Sequence, residues 1–244
     1  MRNCFFKGHC GYSSEICVNG DKNGSLPCSH FHVGQHITDR SGRLYGIEVL
    51  SRPIDFTESI ELEQYYSLML PSKHNWLIIE LANKIYHIEK SMSRMGSQSY
   101  FLNVERFSLM DRSVVESLCT LNRRLKRFNS FLIVEITERN EGLSPYTIEA
   151  EYVLKDSDVL IALDDFTYES AIVLDDTRHD FLKLDMRYIN NNKENEQFID
   201  WLYDVNQIGV KVIAERVETK IDYLLAQSLP ISYFQGYYRG LLGC

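Results

Sequence analysis

Short apolar runs of strand length recur along this chain, and each delivers one polar or acidic residue at or near its C-terminal end. Phe131–Val134 is closed by Glu135, Val159–Leu163 by Asp164 and Asp165, Val210–Ala214 by Glu215, and Ile231–Phe234 by Gln235. Lys183 stands inside Phe181–Leu184. Runs this short and apolar read as strands buried on both faces, the habit of parallel sheets. A closed barrel of parallel strands gathers all its C-terminal strand ends on one face and builds its active site there. Carboxylates converging on that face repel one another and resist ionisation unless a cation holds them. The pattern points to a metal site on a barrel.

Between the runs lie segments with helical spacing: Glu61–Leu70, Asn75–Met92, Arg112–Phe128, Pro145–Lys155, Glu194–Ile208 and Thr219–Gln227. Tyr100–Val104 is a further short strand. His36–Thr38 and Leu44–Leu50 flank the turn-like Asp39–Arg43, which predicts a hairpin whose second strand carries Glu48. Strands alternating with helices of this length imply βαβ units and a parallel sheet. Residues 1–30, rich in Gly, Ser, Asn and Cys, read as an irregular extension without a core of its own. Residues 31–244 read as one α/β domain, a length that suits a single barrel.

Charge narrows the function classes. The net charge of −8 argues against a nucleic-acid polymer as partner, and an anionic substrate would need metal ions or placed Lys and Arg. The basic helix around Arg112, Arg123, Arg124, Lys126 and Arg127 is interrupted by acids such as Glu116 and reads as a solvated outer face. No run reaches the length of a membrane span, and the start is a poor secretory signal, so a cytoplasmic protein without a membrane partner is expected. Four of the six cysteines fall in the first 28 residues but form no Cys-x-x-Cys pair, so reduced thiols are expected there. Cys119 is expected in the core.

Taken in order, the polar residues resemble the EAL domain family. Glu48-Val49-Leu50-Ser51-Arg52 is similar to its Glu-Ala-Leu-x-Arg signature, and Leu102-Asn103-Val104 to its Asn-bearing strand. Glu135-Ile136-Thr137-Glu138 resembles Glu-x-Thr-Glu, Asp164-Asp165-Phe166 the start of Asp-Asp-Phe-Gly, and Lys183-Leu184-Asp185 the Lys-Ile-Asp segment. Ala214-Glu215-Arg216-Val217-Glu218-Thr219 resembles Ala-Glu-Gly-Val-Glu-Thr, and Gln235-Gly236-Tyr237 closes the series.

The resemblance implies a modified (β/α)8 TIM-type barrel that hydrolyses cyclic di-GMP to linear pGpG with two Mg²⁺ or Mn²⁺ ions. It implies Glu48, Asn103, Glu135 and Asp164 as ligands of one ion, and Asp164, Asp165 and Glu215 as ligands of the second. All-oxygen donor sets of this kind suit hard cations. Lys183 would orient or deprotonate the attacking water and balance the acids. Arg52 would hold the substrate phosphate with its planar fork, and Glu218 and Gln235 would complete the floor. Glu138 would support the loop after Asp164-Asp165. A homodimer through the barrel ends is the family habit.

Two departures stand out. Where the family has Gly-Thr-Gly-Tyr-Ser-Ser, this chain has Thr167-Tyr168-Glu169-Ser170, so the loop must take a different path. Arg216 replaces a glycine, and its side chain would either crowd the metal or turn away to pair with an acid. A catalytically silent regulator that binds cyclic di-GMP or a protein partner is therefore the competing expectation. The retained ligands favour the enzyme.

Overall fold

A computed structural model describes residues 4–7, 28–54, 62–92, 97–137, 144–169 and 174–238, apart from the side chains of Glu63 and Met92. Eight strands close into a barrel in sequence order: β1 His30–Asp39, β2 Leu44–Pro53, β3 Ser99–Glu105, β4 Phe131–Thr137, β5 Leu160–Asp164, β6 Phe181–Asp185, β7 Lys211–Glu215 and β8 Tyr233–Gln235. Strands β2 to β8 run parallel to one another, while β1 is antiparallel to both of its neighbours, β2 and β8. The fold is thus the expected barrel with its first strand reversed. The expected hairpin is β1 and β2, extended at its open end by residues 30–35 and 51–53 beyond the sequence pattern.

Helices α1 Leu62–Ser67, α2 Pro71–Met92, α3 Arg112–Leu125, α4 Pro145–Asp156, α5 Met186–Asn192, α6 Glu196–Gln207 and α7 Lys220–Ser228 surround the barrel. A helix is absent among the described residues between β5 and β6. Polar residues at the strand-to-helix junctions cap the helices: Asp185 accepts from the Arg187 amide at the head of α5, and Thr219 and Asp222 form a reciprocal capping box on α7. Helix α3 turns Val114, Leu118, Leu121 and Leu125 inward. Its exposed charges find local partners, Arg112 on Glu116 and, just beyond the helix, Lys126 on Asp158. Cys119 is buried, and Cys4 and Cys119 are free thiols.

The barrel interior is layered. Ile37, Phe101, Ile133, Ala162, Phe181 and Ile213 form an apolar plug, with Tyr45 and Tyr233 packed against it. Gly46 belongs to the same layer, because a Cβ there would lie 2.7 Å from the Phe101 ring. Side chains on one face of a strand recur every second residue. Two residues beyond the plug, each strand therefore turns the next side chain into the barrel: Glu48, Asn103, Glu135, Asp164, Lys183, Glu215 and Gln235, with Gln35 from the reversed β1. The register pairs Gln35 with Glu48 and Asn103 with Glu135 directly, and elsewhere steps by two, pairing Gln235 with Ile37 and Glu48 with Phe101, the stagger that closes a barrel. An apolar plug carries a polar layer, and the polar layer faces the mouth.

Candidate active site

Lys183 stands at the centre of the polar layer, with 1% of its side chain exposed. Its Nζ lies 2.8 Å from Glu215 Oε1, 2.9 Å from Glu135 Oε1, 3.5 Å from Glu48 Oε2 and 3.7 Å from Asp164 Oδ1. Glu48 is fixed on both sides, accepting from Asn103 Nδ2 at 2.5 Å and from Gln235 Nε2. One lysine thus serves four carboxylates, and the charge does not balance.

The acids feel this differently. Burial pushes Glu48 up, but Lys183 and the hydrogen bonds from Gln235 and Asn103 outweigh it, so Glu48 is held below the usual carboxylate range. Glu135 is driven well above that range by burial and by the neighbouring Glu48 charge, with Lys183 opposing. Burial pushes Glu215 up to about 8 against the pull of Lys183, and Asp164 also shifts upward, chiefly by burial. Lys183 is held well above its ordinary range: burial favours the neutral amine, yet Glu135, Glu215, Glu48 and Asp164 together win. It carries its proton throughout the neutral range.

The donor set fits divalent cations. Carboxylate oxygens of Asp164, Asp165 and Glu215 lie within 4.8 Å of one another. Glu135 Oε2 and Gln235 Oε1 are buried without a hydrogen-bond partner. A buried acceptor left open costs about 1–3 kcal/mol, and a bound cation would repay it at the Glu135 oxygen. The donors are all oxygen, which favours a hard ion such as Mg²⁺ or Mn²⁺ over zinc.

The remaining expected residues occupy the walls. Two adjoining cavities, each about 400 Å³, open above the polar layer and share Glu48, Arg52, Glu215 and Arg216; the first is lined also by Asn103, Asp164 and Asp165, the second by Gln35 and Gln235. Arg52 hydrogen-bonds the Ser51 carbonyl at 2.8 Å and otherwise presents its guanidinium to the space. Glu218 is exposed on the rim of the second cavity and does not reach the central cluster. Glu138 and Ser170 lie outside the described residues.

Backbone geometry explains the two departures. Arg216 has φ +54°, the left-handed region that costs an L-residue roughly 1–2 kcal/mol and that glycine enters freely. Its side chain pairs with an acid, Asp185, Nε to Oδ2 3.3 Å. Asp165 is also left-handed, at φ +52°. The residues after it are anchored by aromatic contacts: Phe166 stacks on Trp201 at 6.0 Å and Tyr168 meets the same ring edge-on at 5.7 Å. Phe166, Tyr168 and Glu169 are thus pinned to α5 and α6.

Sequence reasoning passed over Gln35, which lines the second cavity beside Glu48. Its signal lies in reading the first strand backwards, two residues before Ile37. It also passed over Tyr66 and His74, which wall the first cavity from α1 and α2, and over Arg187, Asn190 and Asp222, which wall the second.

Comparison with known proteins adds the family. The sequence matches the EAL domain over residues 35–240. A relative from Escherichia coli strain K12, the probable cyclic di-GMP phosphodiesterase PdeG, is 25% identical over 220 residues, covering 83% of this chain and 42% of that protein. The chain therefore spans less than half the length of that relative. Klebsiella pneumoniae BlrP1, in a calcium and cyclic di-GMP complex, superposes with a TM-score of 0.69 at 18% identity, over 86% of this chain and 55% of its own. An EAL domain protein from Listeria monocytogenes EGD-e gives 0.63 at 23% identity, over 86% and 87%. At these identities the structural likeness speaks for the barrel and its topology.

Proposed function

The chain belongs to the EAL domain family, and from that premise we propose that it is a metal-dependent phosphodiesterase that opens cyclic di-GMP to linear pGpG. The observation that carries the reading is the intact oxygen-donor set around Lys183, with Glu135 Oε2 buried and unpartnered beside it. A site that had lost its cation would have little reason to keep such a costly cluster of acids.

In this reading Glu48, Asn103, Glu135 and Asp164 hold one divalent ion, and Asp164, Asp165 and Glu215 a second. Bound there, the ions would polarise the phosphoryl oxygens and favour hydroxide at neutral pH. Arg52 draws the substrate phosphate down onto the polar layer with the guanidinium donors that its bond to the Ser51 carbonyl leaves over. Asn103 and Gln235 hold the Glu48 carboxylate in one orientation, so its lone pairs stay aimed. Lys183, buried among Glu135, Glu215, Glu48 and Asp164, orients the attacking oxygen or takes its proton. Glu218, on the rim, takes the outer hydrogen bonds of the bound nucleotide.

One observation favours the competing reading, a silent member that binds the nucleotide and regulates. The segment after Asp165 is tethered to α5 and α6, which would restrain a loop that has to adjust around a second ion. A single assay separates the two. Purified protein is incubated with cyclic di-GMP and Mg²⁺ or Mn²⁺, and the products are resolved by chromatography. Production of pGpG that disappears in Glu48→Ala supports the enzyme. Nucleotide binding without turnover sinks it and leaves the regulator.

A further inference from the structure

Cyclic di-GMP carries two phosphodiesters, each with a full negative charge, and hydrolysis opens one of them. The second must also be held within this mouth. The cavity beside β1 and β8 is a poor place for an anion, because Glu48, Glu215, Glu218 and Asp222 all line it and the chain as a whole carries −8. A local cation has to offset those carboxylates.

Two arginines with open guanidinium groups line this cavity. Arg52 projects from β2 and faces both cavities, including the one that holds Asn103, Asp164 and Asp165. Arg187 projects from the first turn of α5, across the mouth, and lines the second cavity and not the first. Its backbone amide is fixed by Asp185 at 2.7 Å, which sets the base of the side chain. Its guanidinium makes no ion pair or hydrogen bond among the described residues, although Asp222 lines the same wall. Asp222 is otherwise engaged, by the Thr219 amide and hydroxyl and by Asn190 Nδ2 at 3.2 Å. Arg216, the other arginine on the cavity, is paired with Asp185.

We infer that Arg187 is the counter-charge for the phosphodiester that is not cut, while Arg52 serves the one that is. The inference rests on the phosphodiesterase reading above. It makes Arg187 a binding residue remote from the reacting atoms, and so one that acts on KM more than on kcat.

The test is steady-state kinetics of Arg187→Ala and Arg187→Lys at two ionic strengths, on cyclic di-GMP and on bis(p-nitrophenyl) phosphate, which has a single phosphodiester. Loss of one charge-assisted contact raises KM for cyclic di-GMP about tenfold or more in the alanine variant, with kcat changed far less. The lysine variant, which keeps the charge, recovers part of the loss. The alanine variant also flattens the rise of KM between roughly 50 and 200 mM salt, because one ionic contact is gone. The single-diester substrate shows a much smaller KM shift. An unchanged KM for cyclic di-GMP overturns the inference, as does an equal loss on both substrates. A raised KM with an unchanged salt slope also overturns it, pointing instead to a guanine edge. Should the wild type bind but not cut cyclic di-GMP, the dissociation constant replaces KM and the same outcomes decide. A wild type that neither binds nor cuts defeats the phosphodiesterase reading itself, which is a separate result.

Discussion

Tyr188 donates its hydroxyl hydrogen to Glu169 Oε2 at 2.7 Å and accepts the amide hydrogen of Tyr168 at 2.8 Å. One phenol thereby ties the segment after the double aspartate to α5. Burial and the facing Glu169 carboxylate push that phenol up to about 12, so it remains a donor at any working pH. Tyr188→Phe should cost about 1–2 kcal/mol, the usual worth of such bonds, measured by urea unfolding. It should also lower turnover of cyclic di-GMP several-fold without weakening nucleotide binding if the tether positions the segment for catalysis, whereas a rise would show the restraint that the regulator reading invokes. Unchanged turnover would show that the tether holds the fold and not the site.

Lys183 is the counter-ion of the metal-free cluster. Removing one partner of a buried ion pair typically costs about 3–5 kcal/mol, because the other charge is left stranded. Lys183→Met should therefore destabilise the metal-free protein by an amount in that range. Millimolar Mn²⁺ should recover much of the loss, since a ligand that binds only the folded state stabilises it. Turnover should stay absent even when stability is recovered. A metal-loaded variant with near-normal turnover would show that Lys183 does not orient the nucleophile.

The raised Glu215 makes stability depend on pH in a defined direction. Folded, it keeps its proton up to about 8, whereas unfolded it loses that proton near the ordinary Glu value. Between those two values the native state binds the extra proton, so stability falls as pH rises. The metal-free protein should melt lower at the alkaline end of that window than at the acid end. Glu215→Gln should flatten the slope, and added Mg²⁺ should flatten it too, because the cation takes the place of the proton. A slope that survives both changes would assign the pH dependence to other groups.

Gly236 and Arg216 make a contrasting pair. A Cβ on Gly236 would lie 2.1 Å from the Val217 carbonyl oxygen and 2.5 Å from its nitrogen, where backbone cannot yield cheaply. The same two segments are joined by hydrogen bonds from Val217 N to Gln235 O and from Tyr238 N to Val217 O, both 3.0 Å. Gly236→Ala should disrupt the end of β8, with a large fall in melting temperature or loss of soluble protein. Arg216→Gly should do the reverse: relief of about 1–2 kcal/mol of left-handed strain, offset by about 0–1 kcal/mol for the exposed pair with Asp185. A variant less stable than wild type would mean that the Asp185 contact outweighs the strain.

The polar layer was legible because of where it sits. A residue such as Glu135 or Lys183 stands out against a strand that is otherwise apolar on both faces, so each exception announces itself. What the strands could not reveal was distance: nothing in Phe181–Leu184 says that Lys183 lies within 3 Å of both Glu135 and Glu215. Gln35 was hidden because β1 runs backwards, which places its mouth residue before its plug residue instead of after. Helix α5 escaped because seven residues ending in Asn190-Asn191-Asn192 give too little periodicity to register. The choice between the two orientations of Arg216 needed a backbone angle that no side-chain pattern encodes.

The reversed first strand has a consequence for control. In a barrel whose strands all point one way, the chain enters at the floor, opposite the chemistry. Here β1 begins at the mouth: His30 pairs with Pro53 and Phe31 with Arg52, at the outer end of β2. Residues 4–7 already touch that region, through the Phe5 amide bonded to the His32 carbonyl and the Phe6 ring against His32. His32 in turn faces the Ser51 hydroxyl at 3.2 Å, next to Arg52. The residues that lead into β1 thus arrive beside Arg52, so in the phosphodiesterase reading a pull or a rotation applied there would reach the proposed phosphate contact first.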